Sequence, residues 1–233
     1  MRRLLLALVA IAAVLAAGAY GLRAYSKSTT HQIAGDIVSH GPRDRPRVAV
    51  TLDDGPSPRY TAEVLEILAR ANAPATFYLT GHEVARRPEL VTAIAEAGHE
   101  IGNHSFTHDR LVLLGRERIE DELAQTDAWL RGAGYDGPLT FRPPYGSKLW
   151  VLPRVLAREG RLTVMWDVAL EADGDTAPAY AARIVEAAQP GSIILMHVMY
   201  QSREVDRAAL ALVIDGLRAR GFELVTVTEL LEG

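Results

Sequence analysis

The groups in this chain best suited to chemistry are two adjacent carboxylates and two histidines four residues apart. Asp53 and Asp54 end an apolar predicted strand before a Gly-Pro turn, where neighbouring side chains can be brought toward one site. His104 and His108 have the spacing at which two imidazoles on one helical turn share a face and bind one metal. Two histidines and one aspartate are typical of catalytic zinc, with ferrous iron as the competing metal. An acidic helix-capping turn is the alternative for the aspartates.

Two more polar residues follow predicted strands. Arg142 begins the segment Arg-Pro-Pro-Tyr-Gly, where two prolines stiffen the chain behind a permanent cation. His197 ends the apolar run 193–196. A solvated surface charge and a core histidine are the plain structural explanations of these two residues. The chain has no cysteine, which excludes thiol catalysis and Cys-ligated zinc, and it lacks G-x-S-x-G, P-loop and G-x-G-x-x-G motifs.

Alternating strand and helix patterns from Arg47 onward must position these groups. Strands are predicted at 47–52, 75–79, 99–102, 139–141, 162–168, 192–196 and 222–225, and helices at 60–71, 88–98, 116–131, 149–158, 178–188, 206–219 and 228–231. This alternation predicts a mostly parallel sheet with helices outside it. Four of the predicted strands end in the polar groups described above. A barrel brings such ends to one face, whereas an open sheet does so only near its switch point, so we expect a barrel.

Charge and composition bound the possible functions. The chain has 25 basic and 29 acidic residues, a net charge of −4 and 48% hydrophobic residues. Arg2, Arg3 and Arg23 are the only charged residues before Lys27, so without these three positive charges residues 26–233 carry −7. An acidic domain without a basic stripe is a poor candidate for binding nucleic acid. About 200 residues suffice for one sizeable core, and we expect a single domain.

The N-terminal segment is of a different kind. Residues 4–22 form a run of 19 residues without a charge, preceded by Arg2 and Arg3. As a helix the run would span roughly 28 Å, close to the hydrocarbon thickness of a bilayer, with the N-terminus in the cytoplasm. A signal peptide cleaved near the Ala-Gly-Ala sequence at 17–19 is the alternative. Both interpretations export the body, either membrane-anchored or secreted. We therefore predict an export segment at 1–25, a linker at 26–46 and a catalytic domain at 47–233.

Four segments in this order resemble the polysaccharide deacetylase family, carbohydrate esterase family 4. They are TLDDGPS (51–57), HSFTH (104–108), RPPYG (142–146) and ILMHV (194–198), and ATFYLTG (75–81) and AGHEIGNH (97–104) between them are also similar to the family. The resemblance covers about residues 47–230. It implies an α/β fold, a distorted (β/α)7 TIM-like barrel, which agrees with the independent strand count.

The resemblance also implies a role for each matching residue. Asp54, His104 and His108 would hold a divalent metal, most simply Zn²⁺; Asp53 would be the general base, Arg142 its orienting partner, the backbone N–H of Tyr145 an oxyanion donor, His197 the general acid, and Leu195 the wall of the acetyl pocket. The implied reaction is attack of metal-bound water on the amide carbonyl of an N-acetylated sugar in peptidoglycan or a chitin-like polymer.

The sequence departs from the family in its fourth motif. The expected Asp-Trp pair falls on Ala172 and Asp173, Leu52 replaces the usual Phe, and Val198 replaces a polar residue. Three acidic residues could stand in for the missing aspartate: Asp167, Glu171 and Asp173. The altered fourth motif suggests one alternative function, a non-catalytic metal-dependent glycan-binding module. A second alternative is a glycosidase that uses acidic pairs.

Overall fold

Short parallel strands with helices outside them make up the body of the chain. The computed structural model describes residues 2–172 and 174–232. The strands are β1 (Ile37–Val38), β2 (Arg47–Asp53), β3 (Thr76–Leu79), β4 (Glu100–Asn103), β5 (Thr163–Val164), β6 (Val168–Ala169), β7 (Ile193–His197) and β8 (Glu223–Leu224). The helices are α1 (Arg2–Ser26), α2 (Thr61–Arg70), α3 (Gly81–Arg86), α4 (Pro88–Glu96), α5 (Arg116–Gly132), α6 (Val151–Arg158), α7 (Ala177–Ala187), α8 (Glu204–Ala219) and α9 (Val227–Glu232).

The strands close into a distorted barrel around β2. This strand pairs in parallel with β3 and β7, and its first residues pair with β8. β4 lies beyond β3, and β6 lies beyond β7. Parallel bridges from Asn103 to Phe141 and from Phe141 to Thr163 connect β4 with β5, and the chain runs on from β5 to β6. The predicted (β/α)7 barrel is confirmed.

Alternation along β2 separates the two sides of the barrel wall. Val48, Val50 and Leu52 pack outward in the large core that α2, α7 and α8 cover. Ala49 instead belongs to the interior cluster with Tyr78. Because side chains alternate between faces along a strand, Thr51 and Asp53 share the inner face with Ala49.

Two predicted strands are wrong in extent. The segment 139–141 contributes only the bridging residue Phe141, because it lies between Pro138 and Pro143, which cannot donate to a ladder. The segment 162–168 is divided into β5 and β6. The guanidinium of Arg142 donates to two carbonyl oxygens at this break, which removes them from strand pairing.

Part of the predicted linker is built into the sheet. Ile37 and Val38 form β1 and pair with β5, and His40 makes an antiparallel bridge to Ser192. Ile37 and Val38 are β-branched residues in a polar stretch, and both are half-buried. Residues 37–40 therefore extend the sheet instead of forming a free tether. Before them, α1 is exposed along its apolar length and is long enough to cross a membrane.

Candidate active site

Arg142 is a buried cation that fixes Asp53. Its Nη1 donates to Oδ1 of Asp53 at 2.6 Å and to Oγ1 of Thr51 at 2.7 Å. Its other nitrogens donate to the carbonyl oxygens of Val164 at 3.2 Å and Met165 at 3.0 Å. The side chain is 0% exposed, so the explanation of Arg142 as a solvated surface charge is wrong. The carbonyl contacts fix the guanidinium, and its Nη1 in turn orients the carboxylate of Asp53 and supplies its counter-charge.

The two adjacent carboxylates have opposite electrostatics. Burial alone would raise the pKa of Asp53, but the charges of Arg142, His104 and His197 outweigh burial and lower it. Burial and the neighbouring charge of Asp53 raise the pKa of Asp54 to about 6. Asp53 is therefore an ionised acceptor at neutral pH. Asp54 is a carboxylate whose ionised form needs a further positive partner.

Asp54, His104 and His108 form a cluster suited to a metal ion. The ligand atoms of the three residues all lie within 4.8 Å of one another. Nε2 of His108 is 3.4 Å and Nε2 of His104 is 3.9 Å from Oδ1 of Asp54. That oxygen is buried and has no hydrogen-bond partner among the described residues. An unpartnered buried carboxylate oxygen costs free energy, and a divalent cation between these donors would remove that cost.

Both imidazoles are kept in the form that binds a metal. Nδ1 of His104 lies 2.8 Å from the carbonyl oxygen of Arg142, and its donation to that oxygen leaves the lone pair of Nε2 facing the cluster. Burial lowers the pKa of His104 to about 4 and also lowers the pKa of His108. Both rings are thus neutral at pH 7, as ligation requires. The donor set fits a divalent metal.

The segment 104–108 is a loop and not the helical turn that the spacing suggested. Ser105 has φ +65° and His108 has φ +62°, and this backbone brings the two rings to a centroid distance of 4.9 Å. The hydroxyl of Ser105 accepts the N–H of His108 at 3.0 Å. Glu122 of α5 accepts two further backbone N–H groups of the loop, at 2.9 and 2.8 Å. Hydrogen bonds to a buried carboxylate therefore replace those of a helix.

Left-handed backbone is concentrated around this site. Within the described residues, five non-glycine residues have positive φ, and four of them are Asp54, Ser105, His108 and Tyr145. The fifth, Asn72, lies just after α2. Such backbone costs about 1–2 kcal/mol for most side chains. Its concentration here marks a functional site that the surrounding structure maintains.

Strand register places His197 beside Asp53. In the β2–β7 ladder Asp53 pairs with His197 and Thr51 with Leu195. His197, Leu195 and Tyr145 all line the cleft that also contains Asp54, His104 and His108. The structure therefore brings together all eight residues predicted from the sequence, and it places His197 at the cleft and not in the core.

Comparisons with known proteins agree with this arrangement. A family model described as "Polysaccharide deacetylase" matches residues 40–161, more than half of the chain. The chain belongs to the polysaccharide deacetylase family. It is 33% identical over 204 residues to a peptidoglycan-N-acetylglucosamine deacetylase of Bacillus cereus, covering 84% of this chain and 93% of that protein. It is 33% identical to a chitooligosaccharide deacetylase of a Bradyrhizobium species, covering 78% of this chain and 90% of that one.

A solved structure shows the same fold. The crystal structure of a peptidoglycan N-acetylglucosamine deacetylase in complex with a substituted N-oxidanyl-benzamide superimposes with a TM-score of 0.79 at 28% identity. The match covers 83% of this chain and 92% of that chain. The protein is thus an enzyme of the polysaccharide deacetylase type, and the fold predicted from the resemblance is that of its relatives.

The cleft of this deacetylase also contains residues that the sequence did not single out for the site. Its volume is about 410 Å³. Besides the predicted residues, its walls include Lys27, Trp166, Leu170, Tyr200 and Arg203. The sequence could have pointed to Trp166, because this residue lies just before the fourth motif, where the chain departs from the family. Tyr200 and Arg203 follow His197 in a loop without periodicity, and Lys27 comes from the predicted linker. In neither place did the sequence pattern indicate a site residue.

The three candidates for the missing fourth-motif aspartate have different environments. Asp167 accepts from the hydroxyl of Ser192 at 2.9 Å and from the N–H of Ile193 at 2.9 Å, and it pairs with Arg43, so it supports the start of β7. Glu171 lines the cleft and pairs with Arg203 at 3.0 Å. Asp173 lies outside the described residues. Of the two described candidates, only Glu171 reaches the cleft.

Asp206 is a further carboxylate near His197. It lies in the first turn of α8 and is buried. Burial raises its pKa, and nearby Arg203 and His197 oppose that rise. The hydroxyl of Tyr180 donates to its Oδ1 at 3.3 Å. In the sequence Asp206 looks like an ordinary acidic residue at a helix N-terminus, which concealed its position near His197.

Proposed function

We propose that this deacetylase removes acetyl groups from N-acetylated sugars of a cell-envelope or extracellular polysaccharide, peptidoglycan or a chitin-like polymer. The observation that carries the proposal is the pairing of Asp53 with His197 at adjacent strand ends, beside the cluster of Asp54 with two histidines. The relatives named above act on peptidoglycan and chitooligosaccharide. Both are polymers or oligomers of N-acetylated sugars, so the shared chemistry is amide hydrolysis.

The proposed cofactor is a divalent cation, most simply Zn²⁺, held by Asp54, His104 and His108. When bound there, it would polarise the substrate carbonyl and lower the pKa of water toward 7. Two neutral imidazoles and one carboxylate leave a coordination position open, as catalytic zinc sites do.

Asp53 is the proposed general base. Its carboxylate is ionised because of Arg142, and Oδ2 faces His104 at 3.6 Å while Oδ1 is held by the guanidinium. One oxygen is thus fixed and the other is directed at the cluster. Asp53 takes the proton from water as that water attacks the carbonyl, which is typically worth about 10²–10⁴ in rate.

His197 is the proposed general acid. The departing amine is a poor leaving group until it is protonated, and His197 donates that proton from the strand next to Asp53. The backbone N–H of Tyr145 donates to the oxyanion, and Leu195 packs against the acetyl methyl. Asp206 places a carboxylate near His197. The products are acetate and a free amino sugar.

We propose that α1 anchors the enzyme in a membrane, with its N-terminus in the cytoplasm and the catalytic domain outside. The helix begins with Arg2 and Arg3 and is then apolar over a length that spans a bilayer. This orientation exposes the cleft on the side where envelope glycans lie.

Acetate release tests the proposal directly. Full-length protein in detergent is incubated with chitooligosaccharide or with peptidoglycan, before chelation, after it, and after Zn²⁺ is restored. We expect acetate release that chelation abolishes and Zn²⁺ restores. Release of shortened chains without acetate would identify a glycosidase. Metal bound without acetate release from any acetylated substrate would instead support the glycan-binding module, although such a module needs neither Asp53 nor His197 as a proton-transfer group.

A further inference from the structure

The end of α1 is attached to the loop that carries Tyr145. The backbone N–H of Lys148 donates to the carbonyl oxygen of Ser26 at 2.8 Å. The ammonium group of Lys148 donates to the carbonyl oxygen of Ser28. Ser26 is buried against the domain although the rest of α1 is exposed. The predicted tether therefore does not begin where the helix ends, and the domain starts at the last residue of the helix.

This attachment leaves little distance between the domain and a bilayer that α1 spans. The uncharged run ends at residue 22, and Ser26 follows four residues later, about 6 Å along a helix axis. The headgroup layer on each side of a bilayer is about 5–8 Å thick. Ser26 and its partner Lys148 then lie at the level of the headgroups or directly above them.

The domain surface next to this point has the composition of a membrane interface. Seven residues line one depression at the end of α1. Two of them are Ser26 and Ser147, and the other five are here called the anchor face: Arg23, Lys27, Arg110, Val112 and Leu113. Leu113 is 88% exposed, which is unusual for a large aliphatic side chain in water. Three of the five residues are cations, with Asp109 as the neighbouring acid. Basic and apolar side chains in this mixture suit phosphate headgroups and the acyl boundary below them.

The anchor face adjoins the catalytic cleft. Lys27 lines both the depression and the cleft. Arg110 covers the ring of Tyr145, with its guanidinium carbon 4.1 Å from the ring centroid, and donates to Ser147 at 3.3 Å. A domain seated on headgroups through this face would thus open its cleft beside the bilayer surface.

We propose that the anchor face lies against the phospholipid headgroups of the membrane that α1 spans, so that the enzyme deacetylates glycan close to the membrane surface. This inference rests on the proposed anchoring and deepens the proposed function, because it names where the substrate lies. Glycan that is distant from the membrane is out of reach of a domain without a spacer.

The absence of native cysteine allows a direct test of placement. Leu113→Cys and Leu212→Cys are made separately in the full chain, labelled with an environment-sensitive fluorophore and reconstituted in phosphatidylcholine–phosphatidylglycerol vesicles. Leu212 is the matched control, since it is an exposed leucine (42%) on α8, which packs on α7. We expect the label at position 113 to shift its emission to shorter wavelength and to be quenched by headgroup-attached nitroxide lipids. The label at position 212 should show neither change.

Equal quenching of the two labels, or none at position 113, would overturn the inference. So would an intact mass showing that α1 is removed from the mature protein of expressing cells. Acetate release from soluble chitooligosaccharide by the same labelled variants tests the proposed function separately. Activity without quenching rejects the membrane placement alone, and quenching without activity rejects the proposed deacetylation alone.

Discussion

The cleft has a half built on strands and a half built on loops. Asp53 and His197 end neighbouring strands, so sheet register places them side by side. His108 and Tyr145 stand in loops with left-handed backbone, and side-chain contacts from elsewhere support them. The proposed proton-transfer groups thus lie on ordinary strand backbone, whereas the proposed metal and oxyanion groups include residues with strained backbone. Because the two halves are held in place differently, we expect that a substitution in one half can abolish its function while the other half keeps its own.

Asp53→Asn should separate deacetylation from metal binding most strongly. The substitution preserves shape in the strand-built half but removes the proton acceptor, so deacetylation should fall by about 10²–10⁴. Metal binding should persist, because Asp54 and both histidines remain. Acetate release and metal content per chain measure the two halves independently.

Asp215→Asn, an exposed change on α8, serves as the matched control and should leave both readouts unchanged. Loss of metal together with activity in Asp53→Asn would show that the halves are one unit. Full activity in that variant would remove Asp53 from its role as base.

Arg142→Met should have the second-largest effect, a loss of folding stability caused by a change in the strand-built half. The substitution leaves a buried carboxylate without its main counter-charge, which costs about 3–5 kcal/mol in comparable buried pairs. Without Arg142, burial dominates and raises the pKa of Asp53. A folded-state pKa above the unfolded one makes the variant regain stability as pH falls, so its deficit should be larger at pH 7 than at pH 5.

Denaturant unfolding at the two pH values checks this expectation, with Arg158→Met, an exposed arginine at the end of α6, as the control. The acid limb of the activity profile should also move to higher pH. A stability deficit that is equal at both pH values would mean that Arg142 acts through packing and not through its charge.

Competition between protons and the metal for Asp54 should test the loop-built half. Asp54 must be ionised to bind a cation, and its pKa without metal is raised to about 6. His104, whose pKa is lowered to about 4, stays neutral at that pH. Metal affinity should therefore fall by at least about tenfold per pH unit below pH 6, because one proton competes at Asp54 and any protonation of His108 would steepen the decline.

Titration calorimetry or competition with a chromogenic chelator between pH 7 and pH 5 measures this slope. In Asp53→Asn the onset of the decline should move to lower pH, because the charge of Asp53 helps raise the pKa of Asp54. An unchanged onset in that variant would contradict the coupling between the two carboxylates.

The same division explains how far the sequence could predict the molecule. Apolar runs and the polar residues after them predicted β2, β7 and the residues at their ends, because period-two patterns and strand ends are local features. The split between β5 and β6 could not be predicted, since it depends on hydrogen bonds from Arg142 about twenty residues away. The pairing of β1 with β5 is likewise a long-range contact.

In the site, residue types were predictable and backbone shape was not. The spacing of His104 and His108 predicted a shared metal but suggested a helix, whereas the structure has a loop held by Glu122. Positive φ at a serine or histidine leaves no mark in composition or periodicity. Asp206 was not predicted either, because its position near His197 depends on how α8 packs on β7.

Asp206→Asn should give the smallest of these effects and locate the boundary of the strand-built half. The variant keeps an acceptor for the hydroxyl of Tyr180 but removes the charge near His197, so we expect about a tenfold loss in kcat with KM unchanged. The constants kcat and KM and the thermal midpoint Tm are measured on the same preparation. A purely structural role would lower Tm and the amount of folded protein while kcat per folded molecule stays the same. If kcat per folded molecule is unchanged, Asp206 only supports α8, and the placement of His197 depends on the register of β2 and β7.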